Sequence, residues 1–221
     1  MSNVLVIGDT HIPFVHKDYL SFCKKVYRDY NCKTIVHIGD VCDNHAISYH
    51  EHDPDGYSPG EEMQEALTIL HKWYKTFEHV IVCIGNHDAL PFRKAFTHGL
   101  SKDVMKTYEE IWQCPKGWLW TPDYEINNVK YTHGTGGKYN YANMATNERQ
   151  SIVCGHTHSN GGVTYLASNN SLIFGLNAGC GIDPKAYSME YGKDFPRRPT
   201  LGCGVVLENG RTAQFLPMKM N

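Results

Sequence analysis

Seven residues of types that bind metal ions stand just beyond short apolar runs. Four such runs end in glycine: Val4-Leu5-Val6-Ile7-Gly8, Thr34-Ile35-Val36-His37-Ile38-Gly39, Val80-Ile81-Val82-Cys83-Ile84-Gly85 and Ser151-Ile152-Val153-Cys154-Gly155. Asp9 and His11 follow the first, Asp40 the second, Asn86 the third, and His156 and His158 the fourth. His133 closes a fifth run, Val129-Lys130-Tyr131-Thr132, and precedes Gly134. In near-extended backbone, residues i and i+2 point the same way. Asp9 with His11, and His156 with His158, are therefore expected to face a common point. An aspartate after a strand-ending glycine is by itself a turn former. Recurrence of the same grammar over four strands is what makes these residues a set. Mixed nitrogen and oxygen donors suit Mn²⁺, Fe or Zn²⁺ better than Ca²⁺ or Mg²⁺, which prefer oxygen alone. Seven ligands are too many for one ion with an open position and suit two ions sharing a carboxylate.

Elements must bring these residues together. Continuous β-branched runs of this length fit strands buried on both faces. Between the first three runs lie two helix-like segments. Residues 17–30 put Tyr19, Leu20, Cys23, Val26 and Tyr27 on one face, and residues 60–77 do the same with Met63, Leu67, Leu70, Trp73, Tyr74 and Phe77. Strands alternating with helices predict βαβ units and a largely parallel sheet. Ligands of such sheets bind beyond the carboxyl ends of the strands, so all four runs are expected to deliver their polar residues to one edge. The C-terminal half reads as short strands near 129–133, 162–167, 171–176, 201–207 and 212–217, with turns at Asn169-Asn170 and Asn209-Gly210. It predicts a second, partly antiparallel sheet packed on the first. Long loops are expected at 52–60, 135–143 and 179–199.

The segments Gly8-Asp9-Thr10-His11, Gly39-Asp40-Val41-Cys42-Asp43, Gly85-Asn86-His87-Asp88, His133-Gly134 and Gly155-His156-Thr157-His158 resemble, in order, the five motifs of the calcineurin-like metallophosphoesterase superfamily. The resemblance implies an α/β fold, a two-sheet αββα sandwich of mixed sheets with helices on the outer faces. That agrees with the reading of the elements, and a single domain over 1–221 is expected. It also implies that Asp9, His11, Asp40 and His158 hold one metal and Asp40, Asn86, His133 and His156 the other. His87 is then the proton donor and Asp43 the carboxylate that orients it; the role of Asp88 is left open. The two divalent ions are expected to be Mn²⁺ foremost, with Fe, Zn²⁺ and Ni²⁺ as alternatives. Such an ion pair clamps attacking and leaving oxygens and lowers the pKa of water, giving a hydroxide nucleophile.

Superfamily protein phosphatases carry arginine after the second-motif carboxylate and before the third motif. This chain has Asn44 and Ile84 there, which argues against a phosphoserine or phosphothreonine phosphatase. The favoured substrate is a phosphodiester, with a nucleotide or nucleic-acid end as its class. A phosphomonoesterase, a nuclease and a non-catalytic scaffold are the alternatives. Candidate substrate contacts are Asn44, His45, Arg93, Lys138 and Tyr139, the last two on a Gly-rich loop that could stack a base. The formal charge of −2 over 221 residues offers no broad basic footprint for long nucleic acid. No apolar stretch is long enough to span a membrane. Scattered cysteines without a Cys-x-x-Cys pair, and an N-terminus that enters a strand at once, predict reduced thiols and a cytoplasmic location.

Overall fold

The computed structural model describes residues 2–49, 53–135, 141–186, 188 and 198–219. The first sheet is built from β1 (Asn3–Ile7), β2 (Cys32–His37), β3 (Val80–Cys83), β4 (Trp118–Thr121), β10 (Gly202–Leu207) and β11 (Thr212–Pro217), in the order β11-β10-β1-β2-β3-β4. The strands from β1 to β4 run parallel, while β10 and β11 are antiparallel. The second sheet is β5 (Asp123–Ile126), β6 (Val129–Thr132), β7 (Ser151–Cys154), β8 (Gly162–Ala167) and β9 (Leu172–Asn177), in the order β5-β6-β7-β9-β8. Its centre, β6-β7-β9, is parallel. Helices are α1 (Tyr19–Asp29), α2 (Pro59–Thr76), α3 (Leu90–Thr97), α4 (Tyr108–Ile111) and α5 (Tyr141–Glu148).

Strand alternation explains the layers. In β1, Leu5 and Ile7 point to one face and Val4 and Val6 to the other. Leu5 and Ile7 join Tyr19, Cys23, Val26, Ala66, Leu70 and Trp73 of α1 and α2 in one buried cluster. Val4 and Val6 join Val36, Cys83, Val129, Tyr131, Val153 and Leu176 in another, between the sheets. Helix α5 packs on β7, β8 and β9. The order is therefore α1 and α2, first sheet, second sheet, α5, which is the expected αββα sandwich. Helix α2 starts where a capping box can form: Ser58 takes the Glu61 N–H, the Glu61 side chain takes the Ser58 N–H, and proline follows the cap.

Two expectations need correction. Not all four glycine-ended strands lie in one sheet: β1, β2 and β3 belong to the first and β7 to the second. Both sheets nevertheless send the carboxyl ends of their parallel strands to the same rim, because Asp9 beyond β1 and His156 beyond β7 touch there. The C-terminal strands also do not stay together, since β10 and β11 return to the first sheet beside β1. Among the described residues, no helix is long and apolar enough to cross a membrane.

Candidate metal centre

Backbone bonds tie the rim loops into one frame. The Thr10 and His11 N–H groups donate to the Asp40 carbonyl at 3.1 and 2.9 Å. The loops after β1 and β2 are thereby locked side by side. The His156 N–H donates to Asp9 Oδ2 at 2.7 Å, joining the two sheets. The His87 N–H donates to Asp40 Oδ1 at 2.8 Å, adding the loop after β3. Asp9, His11, Asp40 and His133 are all buried.

The expected extended geometry of the i, i+2 pairs does not hold. His11 (φ 47°), Asp40 (φ 49°) and His156 (φ 68°) are left-handed. The chain turns sharply at each, and convergence comes from these kinks. Asp9 and His11 still face a common point, as expected, whereas His156 and His158 face different partners. One ligand atom from each of Asp9, His11, Asp40 and His158 lies within 4.8 Å of the others, and the same holds for Asp40, His133 and His156. Asn86 joins the second group, with Oδ1 2.9 Å from His133 Nε2. Asp40 belongs to both.

The donor chemistry of these groups fits cations. His133 Nδ1 donates to the Ile38 carbonyl at 3.0 Å. In the neutral ring that leaves Nε2 as a lone pair. Around it stand Asp40 Oδ2 at 3.2 Å, Asn86 Oδ1 at 2.9 Å and His156 Nδ1 at 3.1 Å. His11 repeats the arrangement: Nδ1 lies 3.1 Å from Asp43 Oδ1, and Nε2 faces His158 Nε2 at 3.1 Å and Asp40 Oδ2 at 3.5 Å. A histidine anchored through one nitrogen with the other aimed at a cluster of lone pairs is the arrangement of a metal ligand. Among the described residues, buried Asp9 Oδ1 has no hydrogen-bond partner, a further unsatisfied acceptor at the site. The residues present thus fit two divalent ions sharing Asp40.

Electrostatics agree. Burial opposes charge on Asp40, but His133, His87 and His11 hold its carboxyl well below the usual carboxylate range. Burial also opposes a charged His133, yet Asp40 and Asp9 outweigh it and push the ring up to about 9. Buried carboxylates here attract positive charge of whatever kind.

Absent side-chain bulk is part of the site. A methyl on Gly85 would fall within contact of Asp40 Oδ1 and lie 2.8 Å from its carboxyl carbon. A methyl on Gly155 would crowd Asp9 Oδ1, 3.1 Å from that carboxyl carbon. The glycines before two ligand loops are thus the spaces into which the carboxylates of two other loops fit.

His87 sits beside the centre. Its Nδ1 lies 2.8 Å from Asp43 Oδ1 and 2.7 Å from the Asp43 carbonyl. Burial disfavours its charge, but Asp43 and Asp40 prevail and raise it to about 10. Asp43 is buried between His11 and His87 and contacts both rings. Asn44 donates its amide to the His87 carbonyl at 3.0 Å. His45 is buried, its N–H held by Glu62 Oε1 at 2.8 Å. Arg93 is exposed over the Tyr49 ring. Lys138 and Tyr139 lie outside the described residues.

Two organisers escaped the sequence reading. Buried Asp88 accepts from the Val41, Cys42 and Gly85 N–H groups at 3.0, 3.2 and 2.9 Å, binding the loop after β2 to that after β3. Buried Asn177, at the end of β9, donates to the Gly155 carbonyl and Thr157 Oγ1 and accepts from the Gly179 N–H. It fixes the turn carrying His156 and His158. Asp88 was visible as the end of a motif without a role. Asn177 had no local signal, because the Gly155 and Thr157 groups that it holds lie at least 20 residues earlier in the chain.

The sequence model of the calcineurin-like phosphoesterases matches residues 2–160, a span that contains every candidate ligand together with His87 and Asp43. The chain belongs to the calcineurin-like phosphoesterase family. No curated protein sequence is a significant match. Solved structures similar to it include Vacuolar Protein Sorting 29 from Cryptosporidium parvum, at 14% identity and TM-score 0.49 over 99% of this chain and 98% of that one. YfcE, a phosphoesterase from E. coli, has 18% identity and TM-score 0.41 over 99% and 100%. Nuclease MPE from Pseudomonas putida has 12% identity and TM-score 0.40 over 96% and 87%. Membership of the family rests on the matched residues and the motif loops, and these low structural scores add nothing to it.

Proposed function

We propose that this family member hydrolyses phosphodiesters at a centre of two divalent ions, Mn²⁺ foremost, with a nucleotide or nucleic-acid end as substrate class. The observation that carries the reading is the lone-pair cluster around His133 Nε2 and His11 Nε2, which one proton at each site cannot satisfy. Asp9, His11, Asp40 and His158 would hold one ion, and Asp40, Asn86, His133 and His156 the other. Ions bound there supply positive charge for the phosphoryl oxygens and lower the pKa of water. The chain's own residues do the rest. Asp43 fixes His87 through Nδ1 and stabilises its charged form, so the proton on Nε2 is the one available to a leaving oxygen. Asn44 holds the His87 carbonyl and so steadies the loop that aims the ring. Neither Asn44 nor Ile84 can grip a phosphate as arginine does, which favours a diester, whose phosphate oxygens carry less negative charge, over a monoester.

The test uses chelator-stripped protein resupplied with Mn²⁺. Hydrolysis of a chromogenic phosphodiester is compared with that of the matching monoester, for the wild type and Asp9→Asn. Metal-dependent diester cleavage lost in the variant is expected. A monoester preference would replace the reading with a small-molecule phosphatase. Two bound ions with neither activity would leave a binding scaffold.

A further inference from the structure

Beyond His87 the chain enters α3, and the surface changes character. Ala89, Phe92, Arg93, Phe96, Tyr49 and Lys102 line a groove of about 430 Å³. Its Ala89 end lies two residues after His87, in the turn that the Ala89 N–H closes on the Gly85 carbonyl at 3.1 Å. Its floor is braced: Phe92 packs on Tyr108 at 4.5 Å, and Tyr108 stacks on Trp120 at 5.1 Å. Its outer walls are aromatic and open to solvent, with Phe96 77% exposed and Tyr49 56%. Two cations border the Tyr49 ring, Lys94 Nζ at 4.0 Å and Arg93 Cζ at 5.4 Å from its centroid.

Charge runs against that of the whole chain. Residues 93–106 hold Arg93, Lys94, Lys102 and Lys106 against one acid, Asp103, a local +3 in a chain of formal charge −2. Among the described residues, none of Arg93, Lys94 and Lys102 pairs with a carboxylate. Exposed aromatic faces interleaved with cations are what single-stranded nucleic acid requires: rings stack on unpaired bases while cations follow the phosphates. A duplex hides its base faces and gains nothing from Phe96. From Ala89 to Phe96 is about 10 Å at helical rise, room for about three bases at roughly 3.4 Å spacing.

We propose that this groove seats a single strand of nucleic acid whose end reaches the candidate metal centre, an inference that rests on the phosphodiesterase reading and names its substrate. The aromatic and basic groups would bind strand without regard to sequence.

Fluorescence anisotropy of a labelled short oligothymidylate with phosphorothioate links tests it, over a salt series, with Mn²⁺ and again with chelator. The wild type should bind, more weakly as salt rises. Phe96→Ala should bind roughly 5- to 150-fold more weakly, the loss of one stacked base. Lys102→Ala should reduce the slope of log affinity against log salt by about 0.7. Both variants should hydrolyse the small chromogenic diester at the wild-type rate. Unchanged oligonucleotide affinity in both variants would overturn the groove, as would preference for a duplex or capture by phosphatidylserine vesicles instead. Oligonucleotide binding by a wild type that cleaves no small diester would keep the groove and sink the phosphodiesterase reading.

Discussion

Gly85→Ala is a small change aimed at the carboxylate shared by both proposed ions. The added methyl would stand 2.8 Å from the Asp40 carboxyl carbon and closer still to Oδ1. Ordinary carbon contacts are about 3.5–4.0 Å, so Asp40 or the Gly85 backbone must retreat by roughly 1 Å. Neither is free to do so. The Asp40 carbonyl holds the Thr10 and His11 N–H groups, Oδ1 holds the His87 N–H, and the Gly85 N–H is held by Asp88. Losing two such bonds, at about 0.5–1.5 kcal/mol each, gives a destabilisation of about 1–3 kcal/mol, the usual range for overpacking. At about 2–4 °C per kcal/mol for a chain of this size, the melting midpoint should fall by roughly 2–12 °C. The functional loss should be larger, since a misplacement of about 1 Å can cost 10²-fold in rate. Equilibrium dialysis with Mn²⁺ reads the site directly. Gly85→Ala should lose both ions, whereas Gly155→Ala, which crowds Asp9 and Ile38 but not Asp40, should lose one. Gly60→Ala is the control: among the described residues, no atom beyond its chain neighbours and its own helix backbone lies within 4 Å of its methyl, and stability should hold or rise slightly. A Gly85→Ala protein that keeps two ions at wild-type affinity would refute the sharing of Asp40.

Further outcomes follow from the same geometry. His87→Ala should leave two ions bound and lower kcat by about 10²–10⁴-fold; loss of an ion would instead make His87 a ligand. Asp43→Asn removes the charge that both His11 and His87 contact, and metal affinity should fall about 10–100-fold, read by the same dialysis. Glu62→Gln leaves either the His45 or the Ala46 N–H without its acceptor, a cost of about 1–3 kcal/mol, measurable as a lower urea midpoint with unchanged slope. Burial pushes the thiols of Cys32, Cys83, Cys154 and Cys180 up to about 12. They stay protonated well above the pH where an ordinary thiol ionises, so native alkylation should not accelerate between pH 7 and 9, and labelling should become complete only in denaturant. Acceleration at those cysteines in the folded protein would contradict their burial.

Much of the site was legible because it is local in sequence. A buried strand ending in glycine and followed by Asp, Asn or His is a short-range pattern, and it located six of the seven candidate ligands; His133 was found at the end of a fifth run, just before Gly134. Strand limits were equally local: 162–167 and 212–217 match β8 and β11. What escaped is non-local. Nothing near Gly202 says that Val206 will pair with Val4 rather than with the second sheet, because antiparallel partnership across the whole chain length leaves no mark on either strand. The short helices α3 and α4 carry too few turns for a periodic signal, and the stack of Phe92, Tyr108 and Trp120 that holds them is tertiary. Left-handed turns at His11, Asp40 and His156 were missed for a different reason. Positive φ is uncommon outside glycine, and although Asp and His are enriched there, no local pattern marks which ones adopt it; here the bonds that the loops exchange with one another hold them in it.

Crystals of the chain soaked in Mn²⁺ and measured by anomalous diffraction at the manganese edge would test the dinuclear centre most directly. The expected map has two peaks with Asp40 between them, one bounded by Asp9, His11 and His158 and the other by Asn86, His133 and His156. A single peak, or none within reach of Asp40, would contradict it.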